Sequence, residues 1–115
     1  MIRAAFFREG DRLVGFECQG HSGYAESGSD IVCAAVSALL IGASNAVEGL
    51  VGVKPHVIQR DHAGYLKVTI PGPLTPDQAR DCQLLIEAAR LNIEDISKQY
   101  PDNVRVITKD RRSST

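Results

Sequence analysis

His21 and Cys33 bracket the stretch His-Ser-Gly-Tyr-Ala-Glu-Ser-Gly-Ser-Asp-Ile-Val-Cys, in which eleven residues rich in glycine and serine separate an imidazole from a thiol. A thiol attacks as its thiolate, and a nearby histidine and a helix N-terminus are two common ways of favouring that form. The spacing predicts both. A strand ends at Gly20-His21, and Cys33 falls in the first turn of a helical pattern that starts at Asp30. There the unpaired N–H groups and the positive end of the dipole favour a thiolate by about 0.3–1 kcal/mol. Asp30 fits three roles: N-cap of that helix, orienting partner of His21, or electrostatic brake on the thiolate. Ser37, one turn beyond Cys33, is either a small residue at a helix contact or a hydrogen-bonding partner of the dyad or its substrate.

The remaining chemistry-bearing residues read differently. Cys18 falls on the apolar alternation of a strand and Cys82 on the apolar stripe of a helix, which makes both small core residues. His56 and His62 read as surface or turn residues. The glycines at 20, 23 and 28 match neither G-x-G-x-x-G nor the lysine-containing phosphate loop. With Ser22 and Tyr24 they form a loop suited to closing over an extended peptide and ordering on substrate. Cys18, His21 and Cys33 as a metal site would lack both a clear fourth ligand and the second closely spaced pair of structural zinc sites. No metal and no cofactor are expected.

The elements that must position this pair follow from periodicity. Ile2 to Phe7 and Leu13 to Cys18 read as strands joined across Glu9-Gly10-Asp11. From Asp30 to about Val51 the period is helical, with Val32, Val36, Leu39, Ala43, Val47 and Leu50 on one stripe. His56 to Arg60 and Tyr65 to Ile70 predict a second hairpin across Asp61-His62-Ala63-Gly64. Thr75-Pro76-Asp77-Gln78 starts a helix with Thr75 as N-cap and Pro76 in its first turn, running to about Tyr100 with Cys82, Leu85, Ala89, Ile93 and Ile96 buried. Val104 to Thr108 is the last strand. The order is ββαββαβ, an α+β domain of two layers in which a mixed sheet packs against two helices.

The 115 residues suit a single domain over 1–110, with 111–115 as a disordered tail. Thirteen lysines and arginines against fourteen acids, scattered along the chain, show no basic run, which argues against direct nucleic-acid binding. No signal peptide is apparent, and no apolar stretch reads as long enough to cross a bilayer, so no membrane partner is expected. Three cysteines without regular spacing suit a reducing compartment, the cytoplasm by default.

Gly20-His21-Ser22-Gly23-Tyr24, followed by Gly28-x-Asp30-x-Val32-Cys33-x-x-Val36-Ser37-x-Leu39, resembles the signature of the ribosomal-processing cysteine protease family Prp. The ββαββαβ order is similar to that family's domain. The resemblance implies a homodimeric cysteine endopeptidase that removes a short N-terminal extension from large-subunit ribosomal protein number twenty-seven, cutting after an aromatic residue. It matches Cys33 to the nucleophile and His21 to the base, with Asp30 and Ser37 in or near the site. The competing readings are a ribosome-assembly module that grips a partner tail without chemistry, and a thiol redox sensor. The sensor would need a resolving cysteine, and none stands in a C-x-x-C relation to Cys33.

Overall fold

The computed structural model describes residues 1–20, 26–60 and 64–111, and for residues 26–30 the backbone alone. Two hairpins, each followed by a helix, precede a single strand, as the periodicity predicts. β1 (Ile2–Glu9) and β2 (Arg12–Gln19) turn at Gly10, whose φ of +65° is left-handed. β3 (His56–Arg60) and β4 (Tyr65–Thr69) form the second hairpin, and β5 (Val104–Asp110) is the last strand. The sheet order is β3-β4-β2-β1-β5, with β5 parallel to β1 and the other pairs antiparallel. This is a mixed α+β sheet.

Helix α2 (Pro76–Gln99) starts on a reciprocal cap: the Gln78 N–H donates to Thr75 Oγ1 at 3.1 Å and the Thr75 N–H donates to Gln78 Oε1 at 3.0 Å. Helix α1 (Glu26–Ala46) runs into a π-helical turn over Val47–Val51 that stops at Gly52, left-handed with φ +79°. The wider turn rotates the apolar stripe. Val32, Val36, Ala43 and Val47 are buried as expected, but Leu50 is 79% exposed, and Leu40 is the fully buried residue in mid-helix.

One core cluster joins Ile2, Ala4, Phe6, Phe16, Leu66, Val68 and Val104 of the sheet to Val32, Val36 and Leu40 of α1 and Ile86, Ala89 and Ile93 of α2. Both helices therefore cover the same face of the sheet. In β2 the register slips opposite Phe7 and Arg8, so Val14 is an extra residue, and α2 reaches this bulge through Gln83, whose Oε1 accepts the Leu13 N–H at 2.5 Å. Ile31–Val51, with mean hydropathy 1.8 over 21 residues, is long and apolar enough to span a bilayer by those two measures, which corrects the reading from sequence. Its most apolar stripe is nevertheless taken up by the sheet and α2.

The final strand extends two residues beyond Thr108. The Arg111 N–H donates to the Arg8 carbonyl at 2.8 Å, so Arg111 belongs to the fold rather than to a tail. Residues 112–115 lie outside the described part.

Candidate active site

Cys33, half-buried on α1, and Ser37, exposed one turn later, line a cavity of about 190 Å³ at the end of the sheet where β2 finishes and β4 begins. The rest of its wall is largely apolar: Ile2, Val36, Leu40, Ile41 and Leu66, with the thiol of Cys18 among them. Gly20, the residue before His21, lines the same cavity. Its φ of +97° and the Met1 carbonyl oxygen, with which any Cβ would collide, admit only glycine. Its N–H donates to the Gly64 carbonyl at 3.2 Å, which ties the end of β2 to the turn before β4. The backbone that leads into His21 is thus held at the wall on which Cys33 stands.

The expectations for the loop fare unevenly. His21, Ser22, Gly23 and Tyr24 lie outside the described residues, as does His62. Gly28 and Asp30, expected in a loop and at the helix N-cap, are instead inside α1, which starts at Glu26. Periodicity marks where a helix becomes amphipathic, and the hydrogen-bonded helix starts a turn earlier. Cys33 is therefore interior, beyond the first turn over which dipole and free N–H groups act. Its own N–H is committed to the carbonyl four residues back, as in any interior helical residue, and cannot also hold an oxyanion.

Cys18 was expected in the core, and it is both packed against the core cluster and part of the cavity wall. Burial first, then the negative charges of Cys33 and Glu17, push its pKa up to about 11. It is a neutral thiol beside Cys33. Gln59 of β3, which also lines the cavity, carried no signal in the sequence, because only strand pairing brings it there.

A second hollow of about 510 Å³ lies at the far end of the sheet, and it too has a cysteine and a histidine on its lining, Cys82 and His56. Cys82 is 3% exposed, packed with Val47 and Val53, and burial raises its pKa, with Asp81 adding to the shift. A buried neutral thiol is a packing residue.

A family model described as cysteine protease Prp matches residues 1–105, through the first four strands and both helices to the start of β5. The chain belongs to the Prp family of cysteine proteases. It is 40% identical over 109 residues to the ribosomal processing cysteine protease Prp of Bacillus subtilis, covering 94% of this chain and 97% of that one. The fold matches the crystal structure of SMU.848 from Streptococcus mutans with TM-score 0.84 at 34% identity, covering 96% of each chain. It also matches the S. aureus Prp protease carrying a covalently linked product peptide, with TM-score 0.81 at 28% identity, over 95% of this chain and all of that one. Membership makes this chain a ribosomal-processing cysteine protease with the α+β fold of its relatives. Of its three cysteines, Cys18 and Cys33 are half-buried on the cavity wall and Cys82 is buried, and Cys33 alone falls within the family signature.

Proposed function

We propose that this protease removes the N-terminal extension of large-subunit ribosomal protein number twenty-seven, cutting after an aromatic residue, with Cys33 as nucleophile and His21 as general base and acid. The observation that carries the reading is the apolar cavity of about 190 Å³ beside Cys33. A dry protein cavity of about 150 Å³ holds benzene, so there is room here for one aromatic ring next to the attacking sulfur. Ile2, Leu40 and Leu66 would pack against that ring.

In this mechanism His21 takes the proton of Cys33, and the sulfur attacks the carbonyl carbon of the aromatic residue. The tetrahedral oxyanion collapses to a thioester as His21 protonates the leaving amine. Water, deprotonated by the same imidazole, then hydrolyses the thioester and frees Cys33. A positioned acid and base of this kind contributes about 10²–10⁴-fold. The oxyanion needs donors other than the N–H groups of Cys33 and Gly20, which are spent in the helix and on Gly64. Ser37 Oγ and the N–H groups of the loop after Gly20 take that role in this scheme. Asp30, three residues before Cys33 in the chain, fixes the tautomer of His21 in this scheme.

The assembly is proposed to be a homodimer. Leu84 and Leu91, 68% and 57% exposed, stand two turns apart on the outer side of α2 and would pack against their copies. Three free thiols suit a reducing compartment, and the cytoplasm is the proposed location.

Mass spectrometry of the extended ribosomal protein after incubation with the native chain, Cys33→Ala and His21→Ala tests the reading. One defined cut after an aromatic residue by the native chain, and none by either variant, is the expected result. Cleavage after a non-aromatic residue, or undiminished cleavage by Cys33→Ala, refutes it.

A further inference from the structure

The cations of this chain look scattered in the sequence, but strand alternation and register gather them. On the face turned away from the helices the side chains form three rows, read from β3 to β5. They are His56-Thr69-Gly15-Phe7-Lys109, Ile58-Lys67-Glu17-Ala5-Ile107 and Arg60-Tyr65-Gln19-Arg3-Arg105. The whole chain has 13 lysines and arginines against 14 acids. These three rows hold five of the cations, Arg3, Arg60, Lys67, Arg105 and Lys109, and one of the acids, Glu17, and the next pair along the same face, Glu9 and Arg12, adds one of each.

No residue of these rows belongs to either core cluster, so neither helix covers the face. At its middle, Ala5 and Phe7 are nevertheless only 5% and 7% exposed. Long side chains do the covering: the Lys67 ammonium lies 5.5 Å from the centre of the Phe7 ring, with its stem laid over apolar surface. Both carboxylates are already engaged: Glu17 accepts the Tyr65 hydroxyl at 2.5 Å and Glu9 lies 3.9 Å from the Arg111 guanidinium, while Arg60 sits 5.9 Å over the Tyr65 ring. No ion pair with a described residue neutralises Arg3, Lys67, Arg105 or Lys109. Strand spacing makes the face about 19 Å across.

We infer that this open sheet face binds the phosphate backbone of an RNA strand, apart from the cavity at Cys33. A broad lattice of cations complements a polymer with regularly repeated negative charge. A second copy of the same face would oppose cation to cation, and an isolated peptide carboxylate would use only one or two of the five. Exposed Arg3 and Arg105 are cross-strand neighbours on β1 and β5, and Lys109 continues the line along β5, giving a track along the sheet's parallel edge. Such a track would hold the protease on RNA-rich ribosomal material while its cavity takes a peptide.

The test is fluorescence anisotropy of a labelled single-stranded 20-nucleotide RNA with the full chain, titrated from 50 to 200 mM KCl. Binding is expected to weaken with salt, log K falling by about 0.7 per log unit of salt for each phosphate engaged. The triple reversal Arg3→Glu/Arg105→Glu/Lys109→Glu should weaken binding at least tenfold and flatten that slope. Arg80→Glu/Lys98→Glu on α2 should stay within twofold. Lys109→Glu alone, at an exposed strand end, serves should the triple variant fail to fold, and should lower the slope by about one contact. Absence of binding at 50 mM KCl, equal binding by the reversed and native chains, or displacement by polyglutamate as effective as by unlabelled RNA overturns the inference. A change of oligomeric state in the reversed chain also overturns it, by making the face a contact between copies.

Discussion

The two hollows at opposite ends of the sheet hold the same pair of residue types and differ in what surrounds the sulfur. At one end Cys33 is half-buried on the wall of a cavity of about 190 Å³, beside Ser37 and the glycine that leads into His21. At the other, Cys82 lies beneath a hollow of about 510 Å³ with His56 on its rim, but its sulfur is sealed against Val47 and Val53 and burial raises its pKa. The larger hollow has the inert thiol. Neither size nor the presence of a cysteine and a histidine makes a nucleophilic site. Access of the sulfur to solvent and substrate does.

The strongest way to break this comparison is to remove each sulfur in turn. Cys33→Ala should lower kcat/KM for an extended ribosomal peptide by at least about 10³-fold, since removing the nucleophile of an acyl-transfer unit disables the whole unit. The thermal midpoint should hardly move, because the side chain is not part of the fully buried core. Equal loss of activity from removing the sulfur at the other end would refute the distinction.

Gly20 comes next, because it is where the first cavity is joined to the base. Gly20→Ala forces a Cβ into the Met1 carbonyl oxygen at a left-handed φ of +97°. Strain of that kind costs about 1–3 kcal/mol, and the shift of the chain entering His21 should lower kcat well beyond what the lost stability explains. Urea titration beside initial rates separates the two effects. A variant that loses stability but keeps kcat would show that Gly20 supports the hairpin without setting the site.

The thiol of Cys18 sharpens the contrast within the first cavity. With its pKa pushed up to about 11 from the ordinary thiol value of 9.0, the folded chain holds this proton more tightly than the unfolded one. The stabilisation is fully present below about pH 9 and is lost as pH rises towards about 11, an upper estimate being about 2–3 kcal/mol. The urea midpoint of the native chain should therefore fall across that window more steeply than that of Cys18→Ala. Parallel falls would mean that Cys18 is not desolvated beside Cys33.

Most of the scaffold was legible because its signals are local. The capping box at Thr75, the glycine turns at Gly10 and Gly64 and the strand alternation each act within a few residues, and all appear as read. Cys33 was legible for the same reason, as the end of a compact motif. The start of α1 was not, since Glu26 to Ser29 lack the apolar period that marks a helix. Leu50 turns outward because a π-helical turn has no sequence period of its own, whereas Leu40, seven residues before that turn, takes the buried position in place of its neighbour Leu39 by ordinary i+4 spacing from Val36. The cationic sheet face was invisible for a deeper reason. Arg3 and Arg105 become neighbours, and Lys67 joins their face, only through register across four strands, and the charge list of a chain holds no register.

The smallest expected effect is the most discriminating for the opening comparison. Cys82→Ala deletes one buried sulfur from a small satellite cluster and should cost about 1 kcal/mol, a fall of several degrees in thermal midpoint for a domain of this size. His56→Gln, at an exposed position of an edge strand, should cost less still. Both should leave kcat/KM within about twofold, since neither side chain lines the cavity with Cys33. A drop of tenfold or more in a folded Cys82→Ala or His56→Gln chain would mean that the second hollow takes part in substrate handling. Access at Cys33 would then no longer suffice to explain where catalysis occurs.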